Sequence, residues 1–279
     1  MKTVTARGIA YAYREAGQGP PVLLVHGFPV DHSMWRGQIE AVAADHRVIA
    51  PDLRGFGATP LAATEAEADQ RAARGVAMEE YADDLEAVLD ALAIHEPITL
   101  AGFSMGGYVA WQFWKKYRRR IKALVLCDTR AAADTDEARA GRIDMAEHVA
   151  EWGSAKVAEK MLPKLLAAET IDHRPDVVAP VRRVISGTDP RAISAAQRGM
   201  AARPDVTGWL SQIDVPSLFI VGEHDAISRA DEMRSMAEAV PGGELVIVPQ
   251  AGHMAPVENP EAVTAAIAEF LRRTAAQSG

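Results

Sequence analysis

The sequence predicts an α/β fold: a mostly parallel sheet of about eight strands, with helices on both faces and an inserted helical cap. Short β-branched runs alternate with segments of helical period along most of the chain. Most of these runs are apolar throughout, which is typical of central strands in a parallel sheet covered by helices. The alternation stops over one long stretch in the second half, where the sequence is helix-like only.

The first strands are expected in an antiparallel hairpin at residues 3–14, broken at Arg7 and Gly8. The other strand candidates are the apolar runs at residues 21–25, 47–50, 98–101, 121–127, 217–221 and 244–248. Helices are expected at residues 34–44, 78–93, 105–118, 229–239 and 260–273. Strands that alternate with helices in this way indicate βαβ units.

Residues 130–207 interrupt the alternation with Ala-rich and charge-rich sequence. The breaks within this stretch are Pro163, Pro175, Pro180 and Pro190. We interpret the stretch as a cap over the carboxyl edge of the sheet, where α/β proteins bind ligands. The core is then residues 1–129 and 208–279. A second insertion, residues 58–77, is polar and acidic and is expected to be a mobile loop.

The composition is that of an ordinary globular protein, with 48% hydrophobic and 24% charged residues. A formal net charge of −8 argues against nucleic acid as a partner, because phosphate binding depends on Lys and Arg. No stretch approaches the ~20 apolar residues of a membrane span, and the first residues lack the apolar core of a signal peptide. We therefore expect a cytoplasmic protein without a membrane partner, as a monomer or homodimer. The one cysteine, Cys127, is expected to be a buried thiol.

The segment GFSMGG at residues 102–107 directly follows a predicted strand and opens a predicted helix. A serine hydroxyl is a weak nucleophile and must stand clear of its neighbours, where a base can take its proton. A sharp strand-to-helix turn achieves this, but it has no room for side chains two residues to either side, hence Gly102 and Gly106. The helix N-terminus also directs N–H dipoles toward charge that develops on a substrate oxygen. Ser104 is the predicted nucleophile.

The predicted base is His253, in the loop that follows the strand at 244–248. This loop belongs to the carboxyl edge of the sheet, as Ser104 does. An imidazole base needs an acid that holds its tautomer and stabilises its cation.

The predicted acid is Asp225, which follows the strand at 217–221. Glu223 and His224 in the same loop are alternatives, but the order of the residues and the position in the loop favour Asp225. Asp128 is a competing candidate, because it follows the strand at 121–127 and some hydrolases of this architecture place the acid there.

An oxyanion hole requires two convergent backbone N–H groups. One is expected from Met105, the residue after the nucleophile. The other is expected from Phe28 in the loop after an early strand, with Gly27 allowing a close backbone approach. Large apolar side chains near these positions suggest an acyl or aryl pocket, although core packing is the better explanation for any single Met or Trp among them. The pocket candidates are Phe28, Trp35, Met105, Met145, Trp152 and Met161.

Five motifs along the chain resemble those of the α/β-hydrolase fold family. They are VLLVHGFPVD at 22–31, PDLRGFG at 51–57, GFSMGG at 102–107, VGEHD at 221–225 and AGHMAPVENP at 251–260. The likeness spans residues 20–270 apart from the cap, and the order of serine, acid and histidine is the family's order. The resemblance implies Ser104 as nucleophile, Asp225 as acid and His253 as base. It also implies that the N–H groups of Phe28 and Met105 form the oxyanion hole.

Within that family the motifs are most similar to those of small carboxylesterases, enol-lactonases and cofactor-free perhydrolases. The resemblance implies a serine hydrolase that cleaves a small or medium ester or lactone through an acyl-enzyme. Haloalkane dehalogenases and epoxide hydrolases use an aspartate nucleophile, so the serine argues against both. Carbon–carbon bond hydrolases usually have tryptophan after the histidine, where this chain has Met254.

No metal-binding or nucleotide-binding motif argues for a cofactor or a metal ion. The open alternatives are a carbon–carbon bond hydrolase, a perhydrolase, a cofactor-free lyase or oxygenase, and a ligand receptor on the same fold.

Overall fold

The computed structural model describes residues 1–276 of the chain. The strands in this part are β1 (Lys2–Ala6), β2 (Ile9–Ala16), β3 (Pro21–Val25), β4 (Arg47–Pro51), β5 (Ile98–Phe103), β6 (Ile121–Cys127), β7 (Ser217–Gly222) and β8 (Glu244–Val248). Within residues 1–276 they form one eight-stranded sheet in the order β1-β2-β4-β3-β5-β6-β7-β8. β2 pairs antiparallel with β1 and β4, and the remaining pairs are parallel. The predicted sheet and its opening hairpin are confirmed.

Helices flank this sheet. They are α1 (Arg36–Val42), α2 (Glu65–Arg74), α3 (Met78–Ala91), α4 (Met105–Tyr117), α5 (Asp136–Trp152), α6 (Ser154–Leu165), α7 (Ala168–His173), α8 (Pro175–Gly187), α9 (Pro190–Ala201), α10 (Ala230–Ala239), α11 (Ala255–Glu258) and α12 (Pro260–Ala276). The expected helix at 34–44 is divided into a 3-10 turn at His32–Trp35 and the shorter α1. None of the helices within residues 1–276 is both long and apolar enough to cross a membrane.

The core lies on both faces of the central strands. Every residue of β3, β5 and β7 is buried, as expected for strands with helices above and below. Cys127, at the end of β6, is a fully buried free thiol, as expected.

The segment at 58–77 is not the mobile loop that its polar composition suggests, because it contains α2. Thr64 caps this helix by accepting a hydrogen bond from the N–H of Glu67 at 3.3 Å, and Gly75 ends it with φ +89°. α2 packs against α9, and the backbone N–H of Val76 donates to the Ala195 carbonyl at 3.0 Å. The prediction was wrong because the helix is stabilised by a partner about 120 residues further along the chain, which local polarity does not encode.

Helices α5 to α9 form a helical insertion between β6 and β7. Its ends are joined by a 2.9 Å hydrogen bond from the Val206 N–H to the Ala131 carbonyl. Within it, α5 packs on α9 and α6 packs on α8. The Met254 N–H, in the loop after β8, donates to the Leu165 carbonyl at 3.0 Å. The insertion therefore contacts a loop at the carboxyl edge of the sheet.

Candidate active site

Ser104 occupies the single position between β5 and α4. Its backbone has φ +51° and ψ −113°, a conformation that costs a non-glycine residue about 1–3 kcal/mol. Two hydrogen bonds hold it there: the Ser104 N–H donates to the Cys127 carbonyl at 2.9 Å, and the Thr129 hydroxyl donates to the Ser104 carbonyl at 2.8 Å. The turn leaves the Ser104 side chain half-buried, so a substrate can reach it.

The glycines around this turn are required by close backbone contacts. A Cβ on Gly102 would collide with the backbone of Gly106 and Gly107. A Cβ on Gly106 would collide with the carbonyl oxygens of Val25 and His26 at the end of β3. The start of α4 can therefore lie directly against the β3 loop only when residue 106 has no side chain.

The structure brings Ser104, His253 and Asp225 into one chain of hydrogen bonds. The Nε2 atom of His253 lies 2.8 Å from the Ser104 Oγ, and its Nδ1 atom lies 2.8 Å from the Asp225 Oδ2. His253 is 1% exposed and Asp225 is 6% exposed, so both are shielded from bulk water. The other Asp225 oxygen accepts from the N–H groups of Ile227 at 2.7 Å and Ser228 at 3.0 Å. These bonds fix the orientation of the carboxylate.

The alternatives to Asp225 are not the carboxylate that contacts the His253 ring. Glu223 and His224 point outward, with side chains 50% and 57% exposed. Asp128 is fully buried, and its Oδ1 accepts from the Gly222 N–H at 2.8 Å. The hydrogen bond from the His253 ring goes to Asp225.

The predicted oxyanion donors lie on two adjoining backbone segments. Met105 is the first residue of α4, where an N–H has no acceptor within its own helix. Phe28 lies in the loop after β3, which the start of α4 approaches through Gly106. A Cβ on Gly27 would collide with Phe103, so this loop also requires glycine to reach its position.

His26 supports this loop, a role that the sequence analysis missed. Its ring is fully buried, with Nδ1 2.8 Å from the Gly27 carbonyl and Nε2 accepting from the Leu53 N–H at 2.9 Å. Burial lowers the pKa of His26, which fits a neutral ring that donates from one nitrogen and accepts at the other. The histidine before Gly27 in the HGF motif is the signal that could have identified it.

The pocket candidates separate into two groups. Phe28 is 5% exposed and Met105 is fully buried. Met105 follows Ser104 in the chain, and Phe28 lies in the loop after β3. Trp35 is fully buried in the core, edge-on to Phe103. Trp152 lines a cavity of about 750 Å³ whose lining residues all lie between 135 and 197, Met145 and Met161 among them.

A cluster of Asp31, His32 and Asp52 offers ligand atoms within 4.8 Å of one another. These atoms already have hydrogen-bond partners. Asp52 accepts from the His32 ring at 2.7 Å and from the Ala58 N–H at 2.9 Å, and Asp31 accepts from the Ser33 N–H at 2.9 Å. The cluster is a hydrogen-bonded loop, and we assign no metal to it.

Comparison with known proteins identifies the family. A model of the alpha/beta hydrolase fold matches residues 20–260. The solved structure of a thermophilic esterase from Thermogutta terrifontis is 42% identical, with a TM-score of 0.90 and 98% of each chain covered. That of an enol-lactonase from Burkholderia xenovorans is 26% identical, with a TM-score of 0.87, covering 97% of this chain and 100% of that one.

A curated relative, a haloalkane dehalogenase from Sphingobium indicum, is 28% identical over 98% of this chain and 95% of its own. Two of these relatives are hydrolases of esters or lactones, and the third is a dehalogenase. The matched fold therefore supports a hydrolase, and the chain belongs to the α/β hydrolase fold family.

Proposed function

We propose that this protein is a serine esterase that cleaves a small or medium carboxylic ester through an acyl-enzyme. The observation that carries the proposal is the pair of 2.8 Å contacts that His253 makes with Ser104 and Asp225. A nucleophile, a base and an orienting acid in this arrangement are the groups that acyl transfer requires. The 42% identity to an esterase over nearly the whole chain supports the same reaction.

The first half of the reaction forms the acyl-enzyme. The neutral His253 ring donates its Nδ1–H to Asp225, which leaves Nε2 free to accept the Ser104 hydroxyl proton. The Ser104 oxygen attacks the ester carbonyl, and the N–H groups of Phe28 and Met105 bind the oxyanion. The alcohol leaves with the proton that His253 carries.

The second half of the reaction releases the acid. Water gives a proton to His253 and attacks the acyl carbonyl, and Ser104 leaves with that proton. One oxyanion donor is typically worth about 3–4 kcal/mol, and general base catalysis about 10²–10⁴-fold. The helical insertion acts in this proposal as the cap of the site, through its contacts with the loop that carries His253.

Other reactions of the family fit the residues less well. Ser104 stands where haloalkane dehalogenases and epoxide hydrolases use aspartate, and Met254 stands where carbon–carbon bond hydrolases usually have tryptophan. A lactone is the second candidate substrate, because ring opening uses the same acyl-enzyme and the enol-lactonase is 26% identical over 97% of this chain.

The test is rapid mixing with p-nitrophenyl acetate, followed by a panel of longer esters and γ-lactones. We expect a burst of p-nitrophenol equal to the enzyme concentration, and covalent labelling of Ser104 by an alkyl fluorophosphonate in mass spectrometry. Ser104→Ala should lose both. Ser235→Ala is the matched control, since Ser235 is an exposed residue of α10, and it should keep both.

Binding without turnover across the panel would favour a receptor, and turnover without labelling of Ser104 would favour chemistry without an acyl-enzyme. Faster turnover when peroxide replaces water would favour a perhydrolase. The first two outcomes contradict the proposed esterase, and the third contradicts water as its preferred acyl acceptor.

A further inference from the structure

Asp128 is a buried carboxyl group that the reaction described above does not use. It follows β6, is fully buried and has φ +47°, a left-handed conformation that is unusual for aspartate. Its backbone N–H donates to the Ile220 carbonyl at 2.8 Å, and its Oδ1 accepts from the Gly222 N–H at 2.8 Å. The carboxyl group is thus held at the end of β7, the strand that leads to Asp225.

The residues on either side of Asp128 contact the nucleophile turn. The Cys127 carbonyl accepts from the Ser104 N–H, and the Thr129 hydroxyl donates to the Ser104 carbonyl. Three consecutive residues therefore connect the serine turn to the loop of the acid. Asp128 is the member of this segment whose carboxyl group interacts with the side chain of Asp225.

The second carboxyl oxygen of Asp128 needs a hydrogen-bond partner. Within residues 1–276, no donor reaches its Oδ2, although the atom is shielded from water. The Asp225 carboxylate acts on the same carboxyl group, through its charge and through a side-chain interaction. Two ionised carboxylates do not share a buried site, because their repulsion is not screened. A proton on the Asp128 Oδ2 would supply the missing hydrogen bond and remove the repulsion, since it makes that atom a donor for the Asp225 carboxylate.

The surroundings of Asp128 favour its protonated form. Asp225 accepts three hydrogen bonds, from Ile227, Ser228 and His253, whereas Asp128 accepts the one from Gly222. Hydrogen bonds to a carboxylate favour its ionised form. Burial, and next the charge of Asp225, raise the pKa of Asp128 well above its usual range, and the charge of Glu258 acts in the same direction.

We propose that Asp128 is a positioning residue whose protonated carboxyl donates a hydrogen bond to Asp225 and holds that carboxylate against His253. The inference rests on the proposed function, because it assigns the partner of the acid in that same site. Asp128 does not touch the substrate. It acts through Asp225. Its hydrogen bond limits the rotation of the Asp225 carboxylate and reduces the negative charge that this carboxylate presents to the His253 ring.

The test compares Asp128→Asn with Asp128→Ala. Asparagine keeps the shape, an oxygen for the Gly222 N–H and an N–H₂ that donates to Asp225, so kcat/KM should stay within about threefold of the original. Alanine removes the donor, and kcat/KM should fall about 10- to 100-fold, the scale of a misplaced catalytic group. The acid limb of the kcat/KM profile should move to higher pH in Asp128→Ala, because an uncompensated Asp225 stabilises the His253 cation more strongly.

A second measurement does not depend on activity. Infrared difference spectra of the original protein minus Asp128→Asn should contain the C=O band of a protonated carboxylic acid near neutral pH. This band is expected even if no ester is hydrolysed, so a failure of the proposed function would be distinguishable from a failure of this inference.

Three results would overturn the inference. The first is an infrared difference that contains carboxylate bands only. The second is loss of activity in Asp128→Asn on the order of 10⁴-fold with Asp225→Asn still active, which would make Asp128 the ionised acid. The third is an Asp128→Ala variant with unchanged kcat/KM and pH profile, which would leave Asp128 a role in packing alone.

Discussion

The carboxylate of Glu258 accepts a hydrogen bond from the backbone N–H of Ala167 at 2.8 Å. Its other oxygen accepts from the Gly252 N–H, also at 2.8 Å, next to His253. Arg174 adds a 2.6 Å hydrogen bond to the Glu258 carbonyl. Since Ala167 and Arg174 belong to the helical insertion, one buried glutamate links the insertion to the loop that carries His253.

Removal of this link should weaken the fold and the site together. Glu258→Ala leaves two buried N–H groups without an acceptor, so the free energy of unfolding should fall by about 2–4 kcal/mol. We also expect a lower kcat/KM, because the His253 loop loses its support. Urea denaturation and ester hydrolysis measure the two effects. Glu261→Ala, an exposed acid three residues further on, is the control and should change neither quantity. Equal stability of both variants would contradict the structural role of Glu258.

Gly106→Ala should separate the start of α4 from the β3 loop. The added Cβ meets the carbonyl oxygens of Val25 and His26, so the Met105 N–H must move away from that of Phe28. Loss of one oxyanion donor typically costs 10²–10³-fold in kcat, and we expect a reduction of about that size. Gly141→Ala is the matched control, since a Cβ there has open space. It should leave kcat unchanged and stabilise α5 by up to about 1 kcal/mol. An active Gly106→Ala variant would contradict the proposed oxyanion hole.

Arg54 and Asp84 form a buried ion pair under the loop that follows β4. Two hydrogen bonds of 2.7 Å join them, and Arg54 also donates to the Tyr11 hydroxyl at 2.8 Å. Arg54→Met would leave the Asp84 carboxylate with only the more exposed Arg7, 3.0 Å away, as an ion-pair partner. Loss of one member of a buried pair typically costs about 3–5 kcal/mol of unfolding free energy, and because Arg7 remains we expect a cost toward the lower end of that range. Urea denaturation measures this loss. Arg36→Met, in an exposed pair, should unfold close to the original midpoint, and a similar result for Arg54→Met would show that the buried pair is dispensable.

His26 should make the fold sensitive to acid. Burial lowers its pKa in the folded state, so the unfolded chain binds a proton more readily. The contribution of a neutral His26 to the free energy of unfolding is therefore fully present above the ordinary histidine pKa of about 6.5. It decreases as the pH falls below about 6.5 toward the pKa of His26 in the folded state. His46 acts in the same direction, also through burial.

The measurement is the free energy of unfolding in urea at about pH 7.5 and 5.5. His26→Ala should have a lower free energy of unfolding than the original protein at both pH values. Its free energy of unfolding should, however, decrease less from about pH 7.5 to about pH 5.5 than that of the original protein. His46→Ala serves as the comparison, because that ring is less deeply buried. The same loss in His26→Ala as in the original chain would show that His26 does not titrate in this window.

The sequence alone predicted the sheet and the residues that meet at its edge. Gly102 and Gly106 around Ser104 are a local signal, because a sharp turn excludes side chains over a few residues of backbone. His253 and Asp225 followed from a general rule, since loops after parallel strands converge at the carboxyl edge. Both kinds of inference need only the pattern of strands and turns.

Only the tertiary structure decided which side chains support that site. The bond from Ala167 to Glu258 joins residues 91 positions apart, and the pair of Arg54 and Asp84 spans 30 positions. Polar sequence at 58–77 gave no sign that α2 packs on α9. These contacts depend on how distant segments are placed in space, and a local pattern of polarity carries no information about that distance. Composition and spacing therefore predict where the reactive side chains lie, while the tertiary structure determines which buried residues hold them in position.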